Sequence, residues 1–153
     1  MKWTSAVSEH RFLKYAVAEC AVEINAALGE QSADLIVVFV SAHHAARYDQ
    51  LPELVRELVG DGVLIGCSGG GIIGAGKEVE HSPGFAMTAA VLPDVTLNAF
   101  HVEDSQLPDG DAPPQHGCVA ATSVGSTPTA VLRLALLRMS AAVWPERRGS
   151  GSY

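Results

Sequence analysis

The stretch from Val63 to Lys77 holds six glycines and matches three reactive-site patterns at once. Gly66-Cys67-Ser68-Gly69-Gly70 fits the G-x-S-x-G nucleophile elbow, in which a serine on a strained turn attacks a carbonyl. Asp94 with His101, or Asp111 with His116, follow in the chain order that such a triad needs. Gly69, Gly71 and Gly74 fit the G-x-G-x-x-G dinucleotide fingerprint, and Gly71 to Lys77 fits the G-x-x-x-x-G-K phosphate loop. A second reactive group stands upstream, Ser41-Ala42-His43-His44-Ala45-Ala46. There an imidazole can donate a hydrogen bond to a ligand, cap a helix or serve a thiol nucleophile at Cys67.

Each glycine pattern lacks a working part. A phosphate loop needs Ser or Thr after its Lys and a helix behind it, but Glu78 follows Lys77, and Pro83 and Gly84 cut the segment short. A dinucleotide turn would run into a helix containing Gly74 and Gly76, each costing about 1 kcal/mol against Ala. Its acidic residue would have to be Asp94, which sits in the turn signal Pro93-Asp94. The elbow is placed well after a strand, but its following helix is missing. A hydrolase acting through Ser68 or Cys67 therefore stands as the enzyme alternative. His43 and His44 point opposite ways if their backbone is extended, and neither they nor His81 has metal-ligand spacing with Cys67. No metal and no cofactor is expected. His10, His81, His101 and His116 have only turn or surface context.

The elements that must position these groups are read from hydrophobic period. Residues 1–7 form a short first strand ending at Ser8. Leu13, Val17, Cys20, Ile24 and Ala27 recur at three- and four-residue steps, a helix over Glu9–Leu28 with Ser8 as N-cap and Gly29 as its stop. Leu35 to Val40 is apolar throughout, as in a strand covered on both faces. Leu51, Leu54, Val55 and Leu58 stripe a second helix, Gln50–Val59, capped by Asp49 and stopped at Gly60-Asp61-Gly62. Val63-Leu64-Ile65 is the next strand, completing a βαβ unit. Phe85–Leu92 and Val95–Val102 read as an antiparallel hairpin across Pro93-Asp94. Leu107–Gly117 is a Pro/Gly linker, and Thr127-Pro128 opens a helix running to Val143. The fold class is therefore α/β, with a mixed, partly parallel sheet, a βαβ unit, an antiparallel hairpin and helices covering the sheet. In open α/β sheets ligands bind beyond the carboxyl ends of strands. The loops Ser41–Ala46 and Gly66–Gly76 would lie side by side there if their strands are neighbours.

Composition narrows the partners. The chain has 153 residues, 48% apolar and 18% charged, with a net charge of −7. An acidic chain without clustered Lys and Arg is a poor partner for nucleic acid. Residues 1–111 hold 6 Lys/Arg against 16 Asp/Glu, whereas residues 112–153 hold 4 against 1. Cys20, Cys67 and Cys118 are too far apart for a zinc knuckle or a disulfide framework, and reduced cysteines suit the cytoplasm. Neither a signal peptide nor a span of membrane length is visible; the apolar run Ala130–Val143 is short and carries Arg133 and Arg138.

These residues carry a family resemblance. Trp3 with Ser5 and Ser8, Asp34-Leu35-Ile36-Val37-Val38-Phe39-Val40-Ser41-Ala42-His43-His44-Ala45, and Leu64-Ile65-Gly66-Cys67-Ser68-Gly69-Gly70-Gly71-Ile72-Ile73-Gly74 resemble the FIST N-terminal domain. That family is a predicted sensory module of bacterial signalling proteins, also present in some F-box proteins. The resemblance implies a cytoplasmic, non-catalytic domain that binds a small ligand, with amino acids the proposed class, ahead of a FIST C-terminal domain. It covers residues 1–105. Beyond lie a linker at 106–117 and an atypical basic tail with one helix at 118–153. The tail is expected to be a truncated or frame-shifted remnant, or else a compact variant whose basic helix docks on the acidic body.

The reading is thus a sensory domain binding a small polar metabolite through Ser41, His43, His44, Cys67, Ser68, Gly69, Gly70 and Gly71, with backbone N–H groups of Gly69-Gly70-Gly71 taking a carboxylate. The partners implied are the ligand, a FIST C-terminal domain or other signalling protein, and a second copy of the chain. Nucleic acid and membrane are not among them. An interaction fragment without a ligand, completed by a partner chain, is the third reading.

Overall fold

The structure, a computed structural model, describes residues 1–102 and 130–137. They divide into two units, one holding Met1–Leu92 and the other within Pro93–Ala141.

The first unit is built on a four-stranded sheet of β1 (Lys2–Ser8), β2 (Leu35–Ser41), β3 (Val63–Gly69) and β6 (Phe85–Val91), in the order β1-β6-β2-β3. β2 and β3 are parallel, in the register Leu35↔Val63 to Ser41↔Gly69. β6 runs antiparallel to both of its neighbours, β1 and β2. The sheet is mixed, as its pattern predicts, with the β2–β3 crossover supplying the βαβ unit. Asp34 ties the amino-terminal ends of β2 and β3 to the carboxyl end of β6. Its backbone N–H donates to Ala90 O and its carbonyl accepts from Val63 N, each at 2.8 Å. Its carboxylate Oδ2 accepts from Leu92 N at 2.7 Å.

Strand alternation sends Ile36, Val38, Val40, Phe85, Met87 and Ala89 to one face, where α1 (Leu13–Leu28) and α2 (Leu51–Leu58) cover them. The helix stripe falls as its period requires, since Leu13, Ala16, Val17, Cys20, Ala21, Ile24 and Leu28 are buried. α1 ends at Gly29, whose φ of +69° suits a residue without Cβ. It begins at Leu13 rather than Glu9, because Ser8 is not its cap. Ser8 is buried as the last residue of β1, its hydroxyl donating to Glu19 Oε2 and accepting from His10 N. Phe12 takes the N-cap position without a side-chain cap bond. The second helix is also shorter than expected, because a 3₁₀ helix, Ala42–Gln50, occupies the residues before it. Asp49 lies inside that element and caps nothing.

The glycine stretch is mostly strand. β3 continues through Gly66 to Gly69, a corner at Gly70 leads into β4 (Gly71–Gly74), and β4 pairs antiparallel with β5 (Lys77–Glu80). The expected Gly66–Gly76 loop is therefore corrected to a strand end and a hairpin. Its physical reason is close approach: a Cβ on Gly66 would sit 2.2 Å from Val38 O and 2.5 Å from Val38 Cγ2. Glycine here lets β3 lie against β2. Ala75 and Gly76 join β4 to β5 with φ of +48° and +73°, the two positive values that a type I′ connection needs. The hairpin packs Ile72 and Val79 against Ala86 and Val7 on the face of the sheet opposite the helices. Elsewhere on that face Phe39 is 42% and Trp3 54% exposed, so among the described residues β2 is not covered on both sides.

The antiparallel hairpin of the fold is thus β4–β5, and the one expected between Phe85–Leu92 and Val95–Val102 is absent. Both edges of β6 are taken by β1 and β2, which leaves none for the following strand. In the second unit β7 (Val95–Val102) pairs instead in parallel with β8 (Ala130–Leu137), Val95↔Ala130 to Val102↔Leu137. The helix expected over Thr127–Val143 is corrected accordingly. Its Leu132, Leu134 and Leu136 recur every second residue, the period of a strand. The Pro/Gly linker at 106–117, Asp111, His116, Cys118 and the chain end lie outside the described residues.

Candidate functional site

β1 and β2 both run opposite to β6, and β3 runs with β2. Three strands therefore deliver their carboxyl ends to one rim. Ser8, Phe85, Val40 and Ser68 register across the sheet in a single row. Just past that row come the turn after β1 with His10, the 3₁₀ helix with His43 and His44, and the Gly69–Gly71 corner. The two strand-end segments expected to be neighbours are neighbours, Ser41 facing Gly69 in register.

Ser41 is 2% exposed and holds the rim together. Its Oγ accepts from Gly84 N at 2.9 Å and its own N–H donates to Gly84 O at 2.9 Å. Its carbonyl accepts from the Tyr48 hydroxyl, also at 2.9 Å. Burial pushes the Tyr48 phenol up, and the nearby Ser68 side chain partly offsets that push. The Tyr48 hydroxyl thus ties the 3₁₀ helix to the end of β2.

His43 and His44 diverge, as expected of that pair, although on a 3₁₀ helix rather than extended backbone. His43 is exposed and His44 is 3% exposed. The His44 Nε2 is buried without a hydrogen-bond partner. Burial chiefly, then the neighbouring His43 and His10, hold its imidazole below the usual histidine range. A buried polar atom without a partner costs about 1–3 kcal/mol, so an unpaired imidazole nitrogen marks a place for one.

Cys67 and Ser68 lie on opposite faces of β3. Ser68 shares its row with Val40 on the helix side, and Cys67 shares its row with Phe39 on the other. Both are exposed. They are not joint partners of one ligand on the helix side of the rim. Gly69 sits in a tight corner, where a Cβ would meet Gly71 O at 2.8 Å. Gly70 is exposed with open space around it, and Gly71 pairs with Glu80. The strand-to-helix turn of a nucleophile elbow is not formed, because β4 follows β3. Among the described residues no three His, Cys, Asp or Glu side chains are grouped to hold a metal, and no helix is long and apolar enough to cross a membrane.

Tyr48, His10 and Gly84 belong to the rim and were missed. Tyr48 falls between the expected strand-end loop and the expected second helix. His10 becomes a rim residue only because β1 runs parallel to β2. Its Nδ1 accepts from Phe12 N at 3.1 Å, which leaves the proton on Nε2. Its ring lies 5.0 Å from that of Tyr15 and 5.9 Å from that of Phe12, centroid to centroid.

Compared with known proteins, residues 34–142 match the model of a family described as the FIST N domain. The match takes in β2, the 3₁₀ helix and the glycine stretch, and continues past residue 105. Neither the curated proteins nor the solved structures yielded a match.

Proposed function

Because the chain belongs to the FIST N domain family, a family of sensory signal-transduction domains, we propose that it senses a small polar metabolite, an amino acid being the leading class, at the carboxyl-end rim of its sheet. The observation that carries this reading is the parallel register of β2 and β3, which sets Ser41 beside Gly69 and so makes one rim of two segments rich in polar and backbone donors. The ligand-facing residues are His43, His44, Ser68 and the backbone of Gly69, Gly70 and Gly71, with His10 joining from the turn after β1. Ser41 and Tyr48 hold the rim in shape. Cys67 faces the opposite side of β3 and is the weakest member of the set.

The domain works in the cytoplasm, where Cys20 and Cys67 stay reduced, and passes its signal to a FIST C-terminal domain or another signalling partner. It binds rather than transforms its ligand. The family's sensory character supports this, as does the strand geometry around Ser68.

A thermal-shift screen of the full chain against amino acids and other polar metabolites tests the reading. A ligand at a hundred times its Kd adds about 2.7 kcal/mol to the folded state. A melting temperature raised by at least one amino acid, and no longer raised in a Ser68→Ala, His44→Gln double variant, supports it. Unchanged melting across the whole screen sinks it. Labelling by an acylating probe that Ser68→Ala or Cys67→Ala abolishes would favour a hydrolase instead.

A further inference from the structure

Among the described residues, His44 Nε2 is the buried side-chain nitrogen or oxygen left without a partner. The groups around it set what can complete it. His43 on its own element and His10 on the turn after β1 are the titratable groups close enough to act on it. The Tyr48 hydroxyl proton is taken by the Ser41 carbonyl. The carboxylates of the neighbouring elements are engaged or exposed, and Asp49 on the 3₁₀ helix itself is exposed. Glu9 pairs with Lys77, Glu19 accepts from Ser8, and Glu53 and Glu57 of α2 are exposed. Arg11 stacks 4.4 Å from the Phe12 ring centroid, Arg56 pairs with Asp61, and Arg47 is exposed. Three imidazoles thus share the rim, and among the described residues no carboxylate is bonded to His44 Nε2.

We infer that the missing partner of His44 Nε2 is a carboxylate of the ligand, and that binding this carboxylate loads one solvent proton onto His44. This rests on the reading of the rim as a metabolite site. A carboxylate set beside a buried imidazole favours the charged ring, since an opposite charge within a few ångströms stabilises it. Its oxygen accepts from the Nε2–H that protonation guarantees. Burial chiefly, with His43 and His10 beside it, disfavours the charged His44 ring until the carboxylate is there. Ligand and proton therefore arrive together. A phosphate is the poorer fit, because it calls for clustered Lys and Arg, whereas Arg11 and Lys77 are committed to Phe12 and Glu9 and Arg47 is a single exposed cation on the 3₁₀ helix.

Histidine side-chain and backbone-amide NMR on the full chain tests this, with L-alanine, sodium acetate and ethylamine as probes and chloride matched throughout. The His44 titration midpoint should move up with L-alanine and acetate and stay in place with ethylamine. L-alanine should bind more tightly as the pH falls, by up to about tenfold for each unit that the midpoint moves. Calorimetry in two buffers of different protonation enthalpy should find close to one proton taken up, lost in His44→Gln and kept in a variant of the exposed His81, His81→Gln. L-alanine moving the Ser68 to Gly71 amides while the His44 midpoint stays put overturns the inference and leaves the metabolite site standing. So does a shift produced equally by ethylamine. No amide moved by any amino acid or carboxylate overturns both.

Discussion

Replacing Tyr48 by Phe removes the hydroxyl that ties the 3₁₀ helix to the end of β2. The Tyr48 O–H donates to the Ser41 carbonyl at 2.9 Å, and Ser41 is 2% exposed, so water cannot readily take the vacated place. The bond itself is worth about 0.5–1.5 kcal/mol, and stranding the acceptor raises the cost to about 1–3 kcal/mol. Ser68 is exposed, so its hydroxyl is satisfied by water. Tyr48→Phe should therefore destabilise the first unit by about 1–3 kcal/mol, and Ser68→Ala by no more than about 0.5 kcal/mol. Urea unfolding followed by far-UV circular dichroism reads this as a lower midpoint with an unchanged slope. In a thermal melt the same loss is about 4–8 °C per kcal/mol for a unit of this size. A Tyr48→Phe variant within about 0.3 kcal/mol of the parent would refute the bridge, because changes that small lie inside the scatter of independent sites. A loss equally large in Ser68→Ala would place the energy on β3 rather than on Ser41.

Gly66→Ala should cost about 1–3 kcal/mol by overpacking against Val38, since the new Cβ would lie 2.2 Å from a backbone oxygen that cannot swing aside; urea unfolding reads it, and an undiminished midpoint would count against the β2–β3 approach. Burial, then Glu23 and Glu19, pushes the Cys20 thiol up to about 12 from 9.0. At pH 8 a maleimide should label Cys67 and spare Cys20, as peptide mapping by mass spectrometry would show, with Cys20 reacting once urea is added. The raised thiol also contributes stability that is whole below pH 9 and is lost as the pH rises from 9 towards 12. His44 has the opposite sign. Its lowered folded value means that the unfolded chain takes up the proton first, so ligand-free stability should fall as the pH drops through 6.5. His44→Gln should flatten that slope in urea midpoints measured at pH 5.5 and 7.5, and an equal slope in both proteins would show that the group titrates freely.

The sequence made some of this legible and hid the rest for physical reasons. The apolar run Leu35–Val40 and the stripe from Leu13 to Leu28 each carry one period, and each became the element it encodes. The adjacency of the Ser41 and Gly69 segments followed from βαβ logic alone. The glycines at 66 and 69 misled because glycine marks close backbone approach as often as a loop, and at Gly66 the approach is strand to strand. Phe85–Leu92 was recognised as a strand and given the wrong partner. Nearness in the chain favoured Val95–Val102, but β1 and β2 had already claimed both of its edges. Leu132, Leu134 and Leu136 serve two periods poorly, and only pairing with β7 decides between them. Tyr48 and His10 could not be found by motif. Their place in the rim depends on the relative direction of strands that are far apart in the chain.

The position of β6 also sets a timetable. β1 is made first, yet its register Lys2↔Val91 to Ser8↔Phe85 pairs it with a strand that emerges some eighty residues later. At about 5–20 residues per second, the amino-terminal strand waits several seconds for its neighbour during synthesis. The nascent chain can close β2 on β3 meanwhile, but His10 cannot reach the rim until β6 has slotted between β1 and β2. Sequence-distant pairings of this kind slow folding, because chain entropy is lost before contacts reward it. The carboxyl-end rim is thus the last part of the sheet to be assembled, and a chain released before residue 91 would carry its histidines without the strand that gathers them.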